Sequence, residues 1–154
     1  MDGSESDLSL AGVRGWLLFF CINLVILSPV VSLIFLYVGY NGIGEYAYLF
    51  PRLVPVATID SVATVALVLF GIYTGVGLWR VRDGAVRVAK TYLIVNLAYG
   101  FAGVILQIVS IYPLEIDSSY FSDMAQSAVR ATIFTAIWYS YLNRSRRVHA
   151  TYGT

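Results

Sequence analysis

Four apolar blocks, at roughly 16–38, 56–79, 91–112 and 124–142, divide the chain, and nearly all of its basic residues fall in every second gap between them. Each block supplies about the 20 mostly uncharged residues that a helix rising ~1.5 Å per residue needs to cross ~30 Å of hydrocarbon. With 58% hydrophobic and only 12% charged residues, the chain is also too apolar for a soluble domain, where about a quarter of residues carry charge. The pattern predicts an all-α polytopic membrane protein, an antiparallel up-down-up-down four-helix transmembrane bundle forming one domain over residues 1–154. Loops of at most about 17 residues leave no room for a second folded unit.

The formal net charge of +1 hides a strong asymmetry. Arg14 precedes the first block, Arg80, Arg82, Arg87 and Lys90 lie between the second and third, and Arg144, Arg146 and Arg147 follow the fourth. If the spans alternate, these eight share one side. The other side carries Arg52 with the acids Glu115, Asp117 and Asp123. Because Lys- and Arg-rich loops stay cytoplasmic, both termini are expected inside. Trp16, Trp79 and Trp138 mark the inner interface, and Tyr37, Tyr40, Tyr46 and Tyr112 the outer one. Orientation and attraction to anionic lipids account for the basic clusters, so membrane lipids are expected as neighbours and nucleic acid is not.

One cysteine, Cys21, and one histidine, His149, exclude an internal disulfide and leave no metal site. The acidic leader (Asp2, Glu5, Asp7) and an apolar stretch running past Leu33 argue for a retained first span rather than a cleaved signal. Nucleophile-elbow, phosphate-loop and zinc-protease spacings are absent and no carboxylates pair within a span, so neither catalysis nor a cofactor is expected.

Ionic groups in hydrocarbon cost about 2.5–3.5 kcal/mol each, so Asp60 in the second block and Arg130 in the fourth need a reason to be there. The simplest is mutual pairing, with Arg130 reaching outward along its apolar stem to Asp60. Asp123, two turns from Arg130 on the same helix, competes as its partner. In the third block Asn96, Gly100, Gly103, Gln107 and Ser110 recur at steps of three and four and make one polar, small-residue stripe. Asp60, Thr64, Leu67, Gly71 and Thr74 share a face of the second block, with Gly75 at its edge. Gly71 and Gly75 have the spacing that lets helix backbones approach closely, and with Gly100 and Gly103 they are the expected packing glycines. In the first block Asn23 stands opposite Ser28 and Ser32, and Pro29 is expected to interrupt the helix.

Two roles suit the buried polar set of Asp60, Arg130, Gln107, Asn96 and Asn23. As structural hydrogen bonds, they leave a protein that packs laterally against another membrane protein, as an accessory or scaffold subunit, or against copies of itself. As the lining of a cavity, they bind or transport a small solute, a proton or a lipid headgroup.

The opening Gly12-Val13-Arg14-Gly15-Trp16-Leu17-Leu18 and the closing Ser145-Arg146-Arg147-Val148-His149-Ala150-Thr151-Tyr152 resemble the bacterial membrane proteins grouped as domain of unknown function 2569. The resemblance covers nearly the whole chain, and Ser145, Arg147, Val148, Thr151 and Tyr152 match the family's tail position by position. The chain departs in having Ser140 where family members often have proline, and in Val13 and Arg14 interrupting a glycine run. The resemblance implies a four-helix protein of the bacterial inner membrane without an assigned activity, whose tail is a defined cytoplasmic cap on the fourth helix.

Overall fold

The computed structural model describes residues 12–46, 53–111 and 118–153, and all the regular structure among them is helical. The first span is composite: α1 (Trp16–Ile22), a π-turn (Asn23–Leu27) and α2 (Ser28–Tyr46). Then follow α3 (Leu53–Trp79), α4 (Ala85–Ile111), α5 (Ser118–Arg144) and a short α6 (Arg146–Tyr152). Trp16–Gly39, Val54–Trp79 and Ala85–Leu106 are long and apolar enough to cross a membrane. α5 has the length of a span, 27 residues, but not the apolarity, because Ser, Gln, Tyr and Arg side chains are spread along it. The expected fourth apolar crossing is therefore not matched by its composition.

Helices adjacent in sequence pack on one another: α2 on α3, α3 on α4, and α4 on α5, with α1 and the π-turn also against α3. α5 returns to the first span through Trp138, whose ring stacks on Phe20 of α1 at 4.3 Å between centroids. The most deeply buried side chains, among them Leu17, Phe20, Leu78, Leu93, Leu142 and Val148, gather at one end of the molecule. Both described chain ends lie there too, since the Gly12 amide donates to Thr151 Oγ1 at 3.0 Å. In hydrocarbon, apolar contact between helices gains little over contact with lipid. Where water reaches the helix ends, burying a side chain such as Val148 contributes about 1.5–3 kcal/mol.

Pro29 has no N–H to give and its ring crowds the carbonyl one turn back, so the ladder before it must adjust. The adjustment is the π-turn, in which the Ser28 amide donates to the carbonyl of Asn23, five residues earlier. One extra residue per turn rephases the helix. The inward line runs Leu17, Cys21, Leu24 and then steps five to Pro29, Ser32 and Leu36, while Val31 and Ile34 face outward. Gly75 of α3 makes room for this bulge. A Cβ there would stand 2.5 Å from Val25 Cγ2 and 3.0 Å from Leu24 Cβ.

α3 ends in a left-handed cap. Arg82 N–H donates to Gly77 O and Val81 N–H to Leu78 O, both at 3.1 Å, and Val81 holds φ at +48°. That paired bonding normally falls to glycine, since a β-branched side chain is strained there. After α5, Ser145 turns extended and α6 lies back across the buried end, with Val148 fully buried and Gly153 closing it at φ +65°. The His149 ring lies 2.9 Å from the Asn143 carbonyl near the end of α5. Residues of the tail thus pack as a cap, with Tyr152 donating from its hydroxyl to the Leu78 carbonyl at 2.7 Å.

Candidate functional site

Asp60 lies on α3, and its partner comes from α4. Tyr99 donates to Asp60 Oδ1 at 2.5 Å, with its oxygen also 3.1 Å from the Asp60 carbonyl. A phenol has one proton, and Tyr99 gives it to Asp60, so the Thr64 hydroxyl, 2.9 Å away, is the donor to the Tyr99 oxygen. Arg130 is elsewhere. Its Nη2 donates to Gln126 Oε1, one turn back on α5, at 2.6 Å, and both side chains are exposed. The expected buried cluster of Asp60 with Arg130 is therefore corrected: the two make no ion pair, and both are exposed. The reason is the packing order, because α4 stands between α3 and α5 and presents Tyr99 to the carboxylate first.

Around Asp60 the helices leave a cavity of about 290 Å³, lined by Ser32, Phe35, Leu36 and Gly39 of α2, Ala57, Asp60, Ser61 and Thr64 of α3, and Tyr99 of α4. A smaller space of about 60 Å³ continues from it toward the packed end, shares Ser32, Thr64 and Tyr99, and adds Ser28, Tyr92 and Asn96. The rephasing by the π-turn is what brings Ser32 to this lining. Ser61 donates to the Ala57 carbonyl at 2.7 Å.

The other expected site residues are dispersed. Asn96 is half-buried and lines the smaller space, whereas Asn23 is half-buried in the π-turn and lines neither. The Gln107 and Asp123 side chains, Arg52, Glu115 and Asp117 lie outside the described residues. Gly71 lies beneath Tyr92, where a Cβ would stand 3.0 Å from the hydroxyl, and Gly75 lies beneath the π-turn. Among the described residues, a Cβ at Gly100 or Gly103 would meet nothing within 4 Å, so no close helix approach is made to them there. Ser32 was placed opposite Asn23 by the sequence, but Tyr99 and Ser61 were not singled out. Tyr99 had a signal, since it follows Asn96 by three and precedes Gly103 by four on one face of α4.

The outward side of α5 is the second polar feature within the long helices. Gln126, Arg130, Ile133 and Ile137 recur at steps of four, three and four, and all are exposed. At the packed end stand Arg14, Arg80, Arg82, Arg87, Lys90, Arg144, Arg146 and Arg147, with Arg82 over the Tyr73 ring at 6.0 Å from its centroid. Burial pushes the Tyr152 phenol well above its ordinary range, and the neighbouring Cys21 and Tyr141 add to the shift. Among the described residues no three His, Cys, Asp or Glu side chains gather as metal ligands.

The model of a family described as "Protein of unknown function (DUF2569)" matches residues 10–153. No curated protein and no solved structure matches the chain.

Proposed function

The chain belongs to the DUF2569 family, and from that premise we propose that it is a non-enzymatic protein of the bacterial inner membrane that acts by lateral association. In this proposal α5 is a fourth crossing, the four long helices form an up-down-up-down bundle, and both termini are cytoplasmic. The chain serves as an accessory or scaffold subunit against another membrane protein, or associates with copies of itself.

One observation carries the proposal: Arg130 and Gln126 sit on the outward face of α5 together with Ile133 and Ile137. Arg130 lies 14 residues, or ~21 Å, before Arg144 and its basic flank, which is well inside a bilayer if α5 crosses one. Facing lipid at that depth costs about 2.5–3.5 kcal/mol, and a neighbouring helix that covers the stripe removes the cost. The cytoplasmic assignment is supported by the eight basic residues at the end where the termini meet.

The test is a photoreactive benzoyl-phenylalanine placed at Ile133 or Ile137 in living cells. Covalent adducts with another protein chain are expected at both positions, their mass distinguishing a second copy from a different subunit. Adducts with lipid alone at both positions would reject the proposal.

A further inference from the structure

Of the four hydroxyls lining the cavity beside Asp60, three have already given their protons, which leaves Ser32 as the hydroxyl donor among the described residues. Tyr99 gives its hydroxyl proton to Asp60, Thr64 gives its proton to Tyr99, and Ser61 gives its proton to the Ala57 carbonyl. Three hydroxyl oxygens therefore remain on the lining as acceptors. The carboxylate has one oxygen engaged by Tyr99 and makes no ion pair, and no basic side chain lines the space among the described residues. Such a wall repels anions and rewards donors of positive charge.

Size and the apolar part of the lining narrow the class. At about 290 Å³ the space is on the order of ten times the volume of one water, far more than a bare metal ion fills. Phe35, Leu36 and Ala57 supply the apolar part of the lining, which suits a carbon skeleton. We infer that the cavity between α2, α3 and α4 is a binding site for a small organic ammonium ion, with Asp60 as its counter-charge and Ser61, Thr64 and Tyr99 as hydrogen-bond acceptors. A phospholipid headgroup carries the same nitrogen but also a phosphate, for which the lining offers no cation. The site is independent of the face of α5 and of whatever covers it.

The test is calorimetric titration of the full chain, purified in a neutral maltoside detergent, with benzylammonium. Benzyl alcohol serves as the uncharged molecule of the same shape. Saturable binding of the ammonium is expected, at least tenfold tighter than that of the alcohol, and Asp60→Asn should weaken it at least tenfold. If that variant does not fold, Ala57→Phe, which fills the cavity and keeps the charge, should abolish the same signal. Equal binding of the two probes, full binding by Asp60→Asn or by Ala57→Phe, or no binding by the unmodified chain would overturn the assignment. Complete displacement of benzylammonium by phosphatidylethanolamine at stoichiometric amounts would also overturn it, in favour of a lipid headgroup.

Discussion

The hydroxyl of Tyr152 donates to the carbonyl oxygen of Leu78 at 2.7 Å, across 74 residues of sequence. That carbonyl belongs to the last turn of α3, where it also accepts the Val81 amide. The tail helix is therefore tied to a helix end that has no regular partner for all of its carbonyls.

Tyr152→Phe removes this bond and leaves the ring in place. Because Leu78 O keeps the Val81 donor, the expected loss is modest, about 0.5–1.5 kcal/mol in a reversible unfolding titration in detergent. The same residue gives a pH dependence. Its phenol is held above the ordinary value of about 10 in the folded protein, so folded chains keep the proton at pH values where unfolded chains lose it. The stabilisation is complete below about pH 10 and falls as pH rises above it, and Tyr152→Phe should flatten that fall.

Two glycines of similar sequence context should respond in opposite senses. Gly75→Ala forces a Cβ to 2.5 Å from Val25 and 3.0 Å from Leu24, against a backbone that the π-turn already bulges. A loss of about 1–3 kcal/mol is expected. Gly100→Ala meets open space, and the better helix propensity of alanine should leave stability unchanged or raised by up to about 1 kcal/mol. Unfolding midpoints of the two variants make the comparison.

Val81→Gly should stabilise the chain. Its side chain is 42% exposed and its φ is +48°, so little packing is lost while a left-handed valine is relieved. A gain of about 1 kcal/mol in unfolding free energy is expected.

Trp138→Ala should do the most damage. The indole is 6% exposed, stacks on Phe20 at 4.3 Å and meets Tyr141 edge-on at 5.7 Å, and is the aromatic link between α5 and α1. A loss of about 3–5 kcal/mol is expected, read as faster exchange of α5 amides as well as a lower midpoint.

Hydropathy and charge spacing made the coarse architecture legible. Three apolar helices follow from the run lengths around Leu24, Leu67 and Leu97, because crossing hydrocarbon demands length and little else. α5 was harder to read, since Trp138, Tyr139 and Tyr141 count as apolar by type yet carry polar atoms that lower its hydropathy. The partner of Asp60 was not legible. Charge alone pointed to Arg130, whereas the order of helix packing gives the carboxylate a neutral phenol, and packing order is not written in periodicity. Asn96 and Gly100 looked equivalent on one stripe, but of the two the former lines the smaller space beside the cavity. The tail was legible through family resemblance and not through charge, which makes Arg146 and Arg147 look like a loose flank although Val148 between them and Thr151 is fully buried.

The five-residue turn at Asn23–Leu27 works like an inserted letter in a repeating text. Removing one residue there would shorten the step from Leu24 to Pro29 from five to four, which a regular helix keeps on one face, so Ser32 would hold its place beside Asp60. Winding the unshortened segment regularly would instead turn everything after it by ~100° and carry Ser32 away from the cavity. The extra residue and the bulge that absorbs it cancel, and Gly75 is where α3 yields to them. A one-residue deletion within Asn23–Leu27 should therefore erase the bulge and spare the cavity.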